Sequence, residues 1–176
     1  SSDLRPMPAS PALRLGVFLC AVFAAGGISS AFLALWMADR GLTAAEIGIV
    51  LSLASAARAL AAPLWGRLAD ALPLRVALTI GAATALAGNL LLAPSAGFWP
   101  VLLAVMLQSA GASALMPLAD AVSLALARAG RLDYGRVRAS ASAAFMAANA
   151  LGGVAVGAAG LFLVPLLMAA GHAVAT

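Results

Sequence analysis

The sequence predicts an all-α membrane protein, and its composition, its hydropathy and the spacing of its polar links support this fold class. Of the 176 residues, 64% are hydrophobic and only 9% are charged, and the mean hydropathy is +1.07. Soluble globular domains carry far more charge, so the solvent for this chain is the lipid bilayer. Because backbone polar groups must pair internally there, each apolar stretch of about 20 residues is predicted to span the bilayer as a helix.

Six such helices follow a polar, proline-rich tail at residues 1–12. A capping box at Thr43 and Glu46 begins the second helix, and Pro100 suits the first turn of the fourth helix. The sixth apolar stretch is short for a membrane span, so we expect a truncated helix there. The bundle is predicted over residues 13–176, with helices at about 13–38, 43–65, 74–93, 98–127, 138–159 and 161–176.

The arginines predict how the bundle is oriented in the membrane. Only Arg40 lies in an outer link if the N-terminus is inside, and Arg58 lies within the second helix. Because basic residues are retained on the cytoplasmic side, we expect a cytoplasmic N-terminus. The cytoplasmic segments then hold eight arginines: Arg5, Arg14, Arg67, Arg75, Arg128, Arg131, Arg136 and Arg138.

The link between the second and third helices carries Gly66, Asp70 and Arg75. A short link predicts an antiparallel hairpin, in which Gly66 allows close backbone approach and Asp70 accepts hydrogen bonds from a neighbouring helix N-terminus. The pattern resembles the loop between helices 2 and 3 of the major facilitator superfamily, where it acts as a cytoplasmic latch. Ala71 and Pro73 depart from that pattern, which usually has a basic residue and a glycine there. The resemblance implies the N-terminal six-helix half of a transporter, with the C-terminal half missing.

A charge pair is predicted on the fourth and fifth helices. Asp120 lies about two turns from the inner end of its helix and Arg138 opens the next, so both can lie at a similar depth. Their segments resemble the oligosaccharide:proton symporters, the branch of lactose permease, in which this pair binds sugar hydroxyls. The resemblance therefore assigns substrate binding to Asp120 and Arg138. It also places Phe145 at the position of the tryptophan that stacks on the sugar ring.

Other interpretations of these residues stay open. The charge pair can be a structural ion pair that closes two helix ends, although buried pairs are poor stabilisers. Gly27, in the middle of the first helix, is a candidate for the substrate site, because a small residue there serves close packing or leaves room for a ligand. Arg58 is a secondary candidate that can pair with Asp120 or Asp70 or reach the inner interface. His172 is predicted to be a packed residue.

The predicted function is proton-coupled uptake of a small polar solute, such as a sugar, across the bacterial inner membrane. Phenylpropionate and nucleoside permeases carry a similar signature, and drug exporters share the fold. A non-transporting receptor or assembly subunit is the alternative from another class, but it predicts soluble loops or a docking domain. The sequence contains no P-loop or metal-ligand cluster and no basic face. We therefore expect that the protein is not an enzyme and has no cofactor and no nucleic-acid partner. The expected partners are the solute, protons, the lipid bilayer and the C-terminal six-helix half.

Overall fold

The fold is a bundle of helices. The computed structural model describes residues 11–176, and this part of the chain contains no strand. Among the described residues, five helices are long and apolar enough to cross a membrane, and a sixth is shorter. The predicted all-α membrane fold is confirmed, whereas most of the predicted tail lies outside the described residues. The bounds are α1 Pro11–Asp39, α2 Ala44–Ala71, α3 Leu74–Leu92, α4 Phe98–Arg128, α5 Tyr134–Ala159 and α6 Leu163–Val174.

The apolar core joins α1, α3, α4 and α6 and includes two residues of α2, Val50 and Ala54. Its largest fully buried side chains include Trp36 and Met37 of α1, Leu92 of α3, Val105 of α4 and Met168 of α6. By contrast, only 11% of the most apolar stretch of α2 is buried inside the bundle, and the same share of that stretch in α5. In α4 the buried share is 50%. The helices α2 and α5 therefore flank the core and keep wide faces open.

Glycines let α3 and α4 pack backbone against backbone. A Cβ atom at Gly111 would lie 2.5 Å from the backbone nitrogen of Ala85, and one at Gly81 would lie 2.9 Å from the Cβ atom of Ala114. No side chain larger than hydrogen fits there without movement, and small residues of this kind are the usual basis of close packing between membrane helices. This contact fixes α4, which carries Asp120, in the middle of the bundle.

Polar residues begin two of the helices. Glu46 Oε2 accepts from the Thr43 backbone nitrogen at 2.8 Å, and Thr43 Oγ1 accepts in return from the Glu46 nitrogen at 3.3 Å, so the predicted capping box is present. The side chain of Asp133 caps α5 by accepting a backbone N–H at 3.0 Å. The helix α5 therefore begins at Tyr134, before the predicted start at residue 138, and Arg138 lies in its second turn.

The second difference from the predicted bounds is the end of α2, which continues to Ala71 rather than stopping at residue 65. Pro63 removes one backbone donor but does not end the helix, because a membrane bundle satisfies freed backbone groups in other ways. Trp65 holds this part of α2 to α4 by donating from Nε1 to the Ala110 carbonyl at 2.8 Å. Residues 72 and 73 alone separate α2 from α3.

A buried polar contact joins α3 to α6. His172 is only 3% exposed and Asn89 is fully buried. The Nδ1 atom of His172 lies 3.0 Å from Nδ2 of Asn89 and 2.9 Å from the Met168 carbonyl oxygen. His172 is thus packed, as predicted.

Candidate functional site

An ion pair joins α4 to α5 close to the link between them. The Nη1 atom of Arg138 lies 3.1 Å from Oδ1 and 3.3 Å from Oδ2 of Asp120. The two helices share few other contacts. The contact follows from the local sequence, because the cap at Asp133 starts α5 early enough to place Arg138 beside the C-terminal turns of α4. The structure thus brings together the two residues that the sequence predicts as a pair.

Three further side chains surround this ion pair. The hydroxyl of Tyr134 lies 3.5 Å from Oδ1 of Asp120, to which it donates. The Nη2 atom of Arg138 lies 3.7 Å from the sulfur of Met116, one turn before Asp120 on α4. On α1, the ring of Phe23 covers the guanidinium, with its centroid 4.8 Å from Cζ. Three helices therefore converge on one arginine.

The pair is neither buried nor fully solvated. The side chain of Arg138 keeps 35% of its surface exposed and that of Asp120 keeps 27%. Such partial exposure lowers the desolvation cost of an ion pair in a membrane bundle. Among the described residues, the Nε–H of Arg138 has no acceptor and its Nη2 faces only the weakly accepting sulfur of Met116. The site therefore offers free donors beside a carboxylate acceptor.

Comparison with known proteins shows the family to which the chain belongs. The model of the MFS_1 like family matches residues 12–175. The chain belongs to this family. It is therefore an integral membrane protein with the transporter fold of the major facilitator superfamily (MFS). A search of the curated proteins gives no match.

In this MFS bundle, Phe145 lies two turns after Arg138 on α5 and is partly buried. Its carbonyl oxygen faces Gly27 of α1, where a Cβ atom would lie 2.6 Å from it. The same oxygen accepts a hydrogen bond from Nδ2 of Asn149 at 2.9 Å. Gly27 is buried at the crossing of α1 and α5, where it packs closely against the α5 backbone.

The residues predicted as the MFS latch lie at the C-terminal end of α2 and the start of α3. Gly66 and Asp70 are exposed in the last turns of α2, and Arg75 is exposed in the first turn of α3. No atom lies within 4 Å of a Cβ at Gly66, so the predicted close backbone approach is absent among the described residues. The reason is that α2 and α3 contact each other little, and each packs mainly on α4. Asp70 likewise accepts no hydrogen bond from any residue that the structure describes.

Arg58 contacts neither of its two predicted partners. It is exposed on α2, whose other face buries Val50 and Ala54 in the bundle. Asp120 is already engaged by Arg138 and Asp70 is not an ion-pair partner of Arg58 within residues 11–176. The cause is its position on the exposed face of α2.

The sequence interpretation missed Phe23 and Met116 as neighbours of the ion pair. The position of Met116 beside the ion pair could have been predicted from helical spacing. Met116 precedes Asp120 by four residues, and residues four apart on a helix lie on one face. Phe23 gave no local signal, since only the packing of α1 on α5 brings it to Arg138. In the part of the chain that the structure describes, no group of His, Cys, Asp or Glu side chains could hold a metal ion.

A second arginine contact, also missed, lies at the opposite end of the bundle. Arg40 donates from Nη1 to the Ser95 carbonyl at 3.3 Å and from Nη2 to the Ala93 carbonyl at 3.4 Å. Its guanidinium also lies over the ring of Trp36, 4.9 Å from the centroid. Arg40 therefore ties the link after α1 to the link after α3, where it satisfies carbonyls at a helix C-terminus.

Proposed function

We propose that this chain forms the N-terminal six-helix bundle of a secondary transporter that takes up a small polar solute, such as a sugar, together with protons. The observation that carries the proposal is the partly exposed Asp120–Arg138 pair, on which three helices converge. Ionisable groups at membrane depth in transporters are typical of substrate and ion pathways. The MFS family supports a transporter of alternating access, in which solute binds between two bundles.

The chemistry of the pair favours a solute rich in hydroxyl groups. Arg138 supplies N–H donors and Asp120 supplies carboxylate oxygens, and a sugar hydroxyl can accept from one while it donates to the other. A carboxylate is a poor neighbour for an organic anion, so Asp120 weighs against an aromatic acid. Phe145, two turns further along α5, would supply an apolar platform for a sugar ring.

The remaining parts of the proposal concern orientation and gating. The cytoplasmic N-terminus rests on the arginine distribution, and it places the α2–α3 link on the inner side. Gly66, Asp70 and Arg75 would then form a latch against a second six-helix bundle. The open faces of α2 and α5 would provide the surface for that bundle.

Uptake of a panel of labelled solutes tests the proposal, in cells that express this chain together with the second six-helix bundle with which the proposal pairs it. The panel contains lactose, melibiose, uridine and phenylpropionate, and the proposal predicts saturable sugar uptake that a protonophore abolishes. Arg138→Ala should remove this uptake, whereas the matched control Arg136→Ala should keep it. The Arg136 side chain is 89% exposed, and Asp133 is its single ion-pair partner among the described residues. Uptake of uridine or phenylpropionate without sugar would overturn the solute class, and uptake insensitive to the protonophore would overturn the coupling.

A further inference from the structure

The ion pair with Asp120 fixes the position of the Arg138 guanidinium but not the orientation of its plane. Both oxygens of Asp120 approach the same nitrogen, Nη1, at 3.1 Å and 3.3 Å. A bidentate pair that uses two nitrogens would lock the planar guanidinium, whereas contact through one nitrogen leaves it free to tilt. Something other than Asp120 must therefore set the orientation.

We infer that Phe23 is a positioning residue for Arg138, and that it sets which edge of the guanidinium meets the solute. The Phe23 ring centroid lies 4.8 Å from Cζ, a distance at which a cation is attracted to the face of the ring. The sulfur of Met116, 3.7 Å from Nη2, is a second and weaker contact of the group. This inference rests on the proposed function only where it refers to the solute.

The consequence is a defined donor edge. With one face covered by Phe23 and Nη1 engaged by Asp120, the Nε–H and one Nη2–H remain without a partner among the described residues. The Nε–H and one of the two Nη2–H groups lie on one edge of the planar group and are parallel. An edge of this kind fits two neighbouring oxygens of one ligand, such as a pair of adjacent hydroxyls on a sugar ring.

Phe23 also has an ordinary packing role, which the test must separate from its effect on the charge. It packs at the margin of the apolar cluster formed by Leu19, Ala119 and Ala141. Replacement by leucine alters both roles at once. Stepwise fluorination of the Phe23 ring keeps its shape and weakens only the negative face, so it alters the attraction to the guanidinium alone.

The experiment measures how fast phenylglyoxal modifies Arg138 in the purified full chain without solute, by peptide mass spectrometry, with Arg136 as internal control. Loss of the stacking contact on a partly exposed arginine should raise the rate about twofold to fivefold. We expect that rise for Phe23→Leu, a graded rise with mono-, di- and trifluorinated Phe23, and rates near the wild-type value for Phe23→Tyr and Phe23→Trp. The rate at Arg136 should stay constant throughout.

Two outcomes would overturn the inference. One is an unchanged rate in the trifluorinated protein, because the role of Phe23 would then be packing only, whatever Phe23→Leu does. The other is a rise in rate for Phe23→Tyr and Phe23→Trp as large as the rise for Phe23→Leu. Tyrosine and tryptophan both keep a ring face for the cation, so the inference predicts no such rise for them. The phenylglyoxal measurement needs no solute, so it is independent of the uptake panel. If none of the panel solutes is taken up, the proposed function is rejected and the result on Phe23 still holds.

Discussion

Two adjacent glycines in α1 lie in opposite environments, and their comparison tests the α1–α5 contact next to the candidate site. A Cβ atom at Gly27 would lie 2.6 Å from the Phe145 carbonyl oxygen and 3.0 Å from Nδ2 of Asn149, whereas one at Gly26 would meet no atom within 4 Å. A carbon–oxygen contact normally needs about 3.3 Å. Gly27→Ala therefore forces α1 and α5 apart, and Gly26→Ala does not.

The magnitude of the effect follows from two terms. Replacing glycine by alanine in a helix interior stabilises the helix by up to about 1 kcal/mol, and this term is common to both variants. Overpacking at Gly27 costs about 1–3 kcal/mol, because the clash is with backbone rather than with the end of a flexible side chain. We therefore expect the free energy of unfolding to be lower by about 1–3 kcal/mol in Gly27→Ala than in Gly26→Ala.

The assay is unfolding of the purified protein by sodium dodecyl sulfate, followed by far-UV circular dichroism. The midpoint for Gly26→Ala should equal or exceed that of the wild type, and the midpoint for Gly27→Ala should lie below that of Gly26→Ala. Solute uptake should fall in Gly27→Ala as well, since the displaced segment of α5 carries Arg138 and Phe145. Equal midpoints for the two variants would refute the close α1–α5 contact.

Three shorter predictions concern the ends of the bundle. In a Cys20→Ala background, cysteines are introduced at the exposed positions Ala96 and Ala129. On intact cells an impermeant thiol reagent should label position 96 and not position 129, and labelling at 129 alone would reverse the orientation. Asp70→Asn should slow solute uptake and leave solute binding intact; loss of binding in a folded protein would place Asp70 in the solute site instead. Arg40→Ala should lower the free energy of unfolding by about 1–2 kcal/mol, through two lost carbonyl contacts and a lost ring contact, and an unchanged unfolding curve would contradict the tie.

Local patterns account for the parts of this structure that the sequence predicts well. Apolar length identifies the spans, and the Thr43–Glu46 capping box marks the start of α2. The Asp120–Arg138 contact is predictable because a short link forces the end of α4 and the start of α5 together. Each of these features depends on residues close to one another in the chain.

The features that the sequence misses depend on tertiary packing. Pro63 and Gly66 are typical of a helix end, but contacts such as the Trp65–Ala110 hydrogen bond keep α2 helical beyond them. Gly27 could serve a ligand or a neighbouring helix, and only the position of α5 decides between these roles. The contact between Phe23 and Arg138 has no counterpart in any sequence spacing.

The charge swap Asp120→Arg with Arg138→Asp tests most directly whether this pair binds solute or only joins two helices. Each single substitution leaves one charge poorly matched, so lost expression alone would not separate the two roles. The double variant restores the pair but reverses its donors and acceptors. If the pair binds solute, the swapped protein should recover wild-type expression and show no uptake of the panel sugar. Uptake near the wild-type rate by the swapped protein would contradict the binding role.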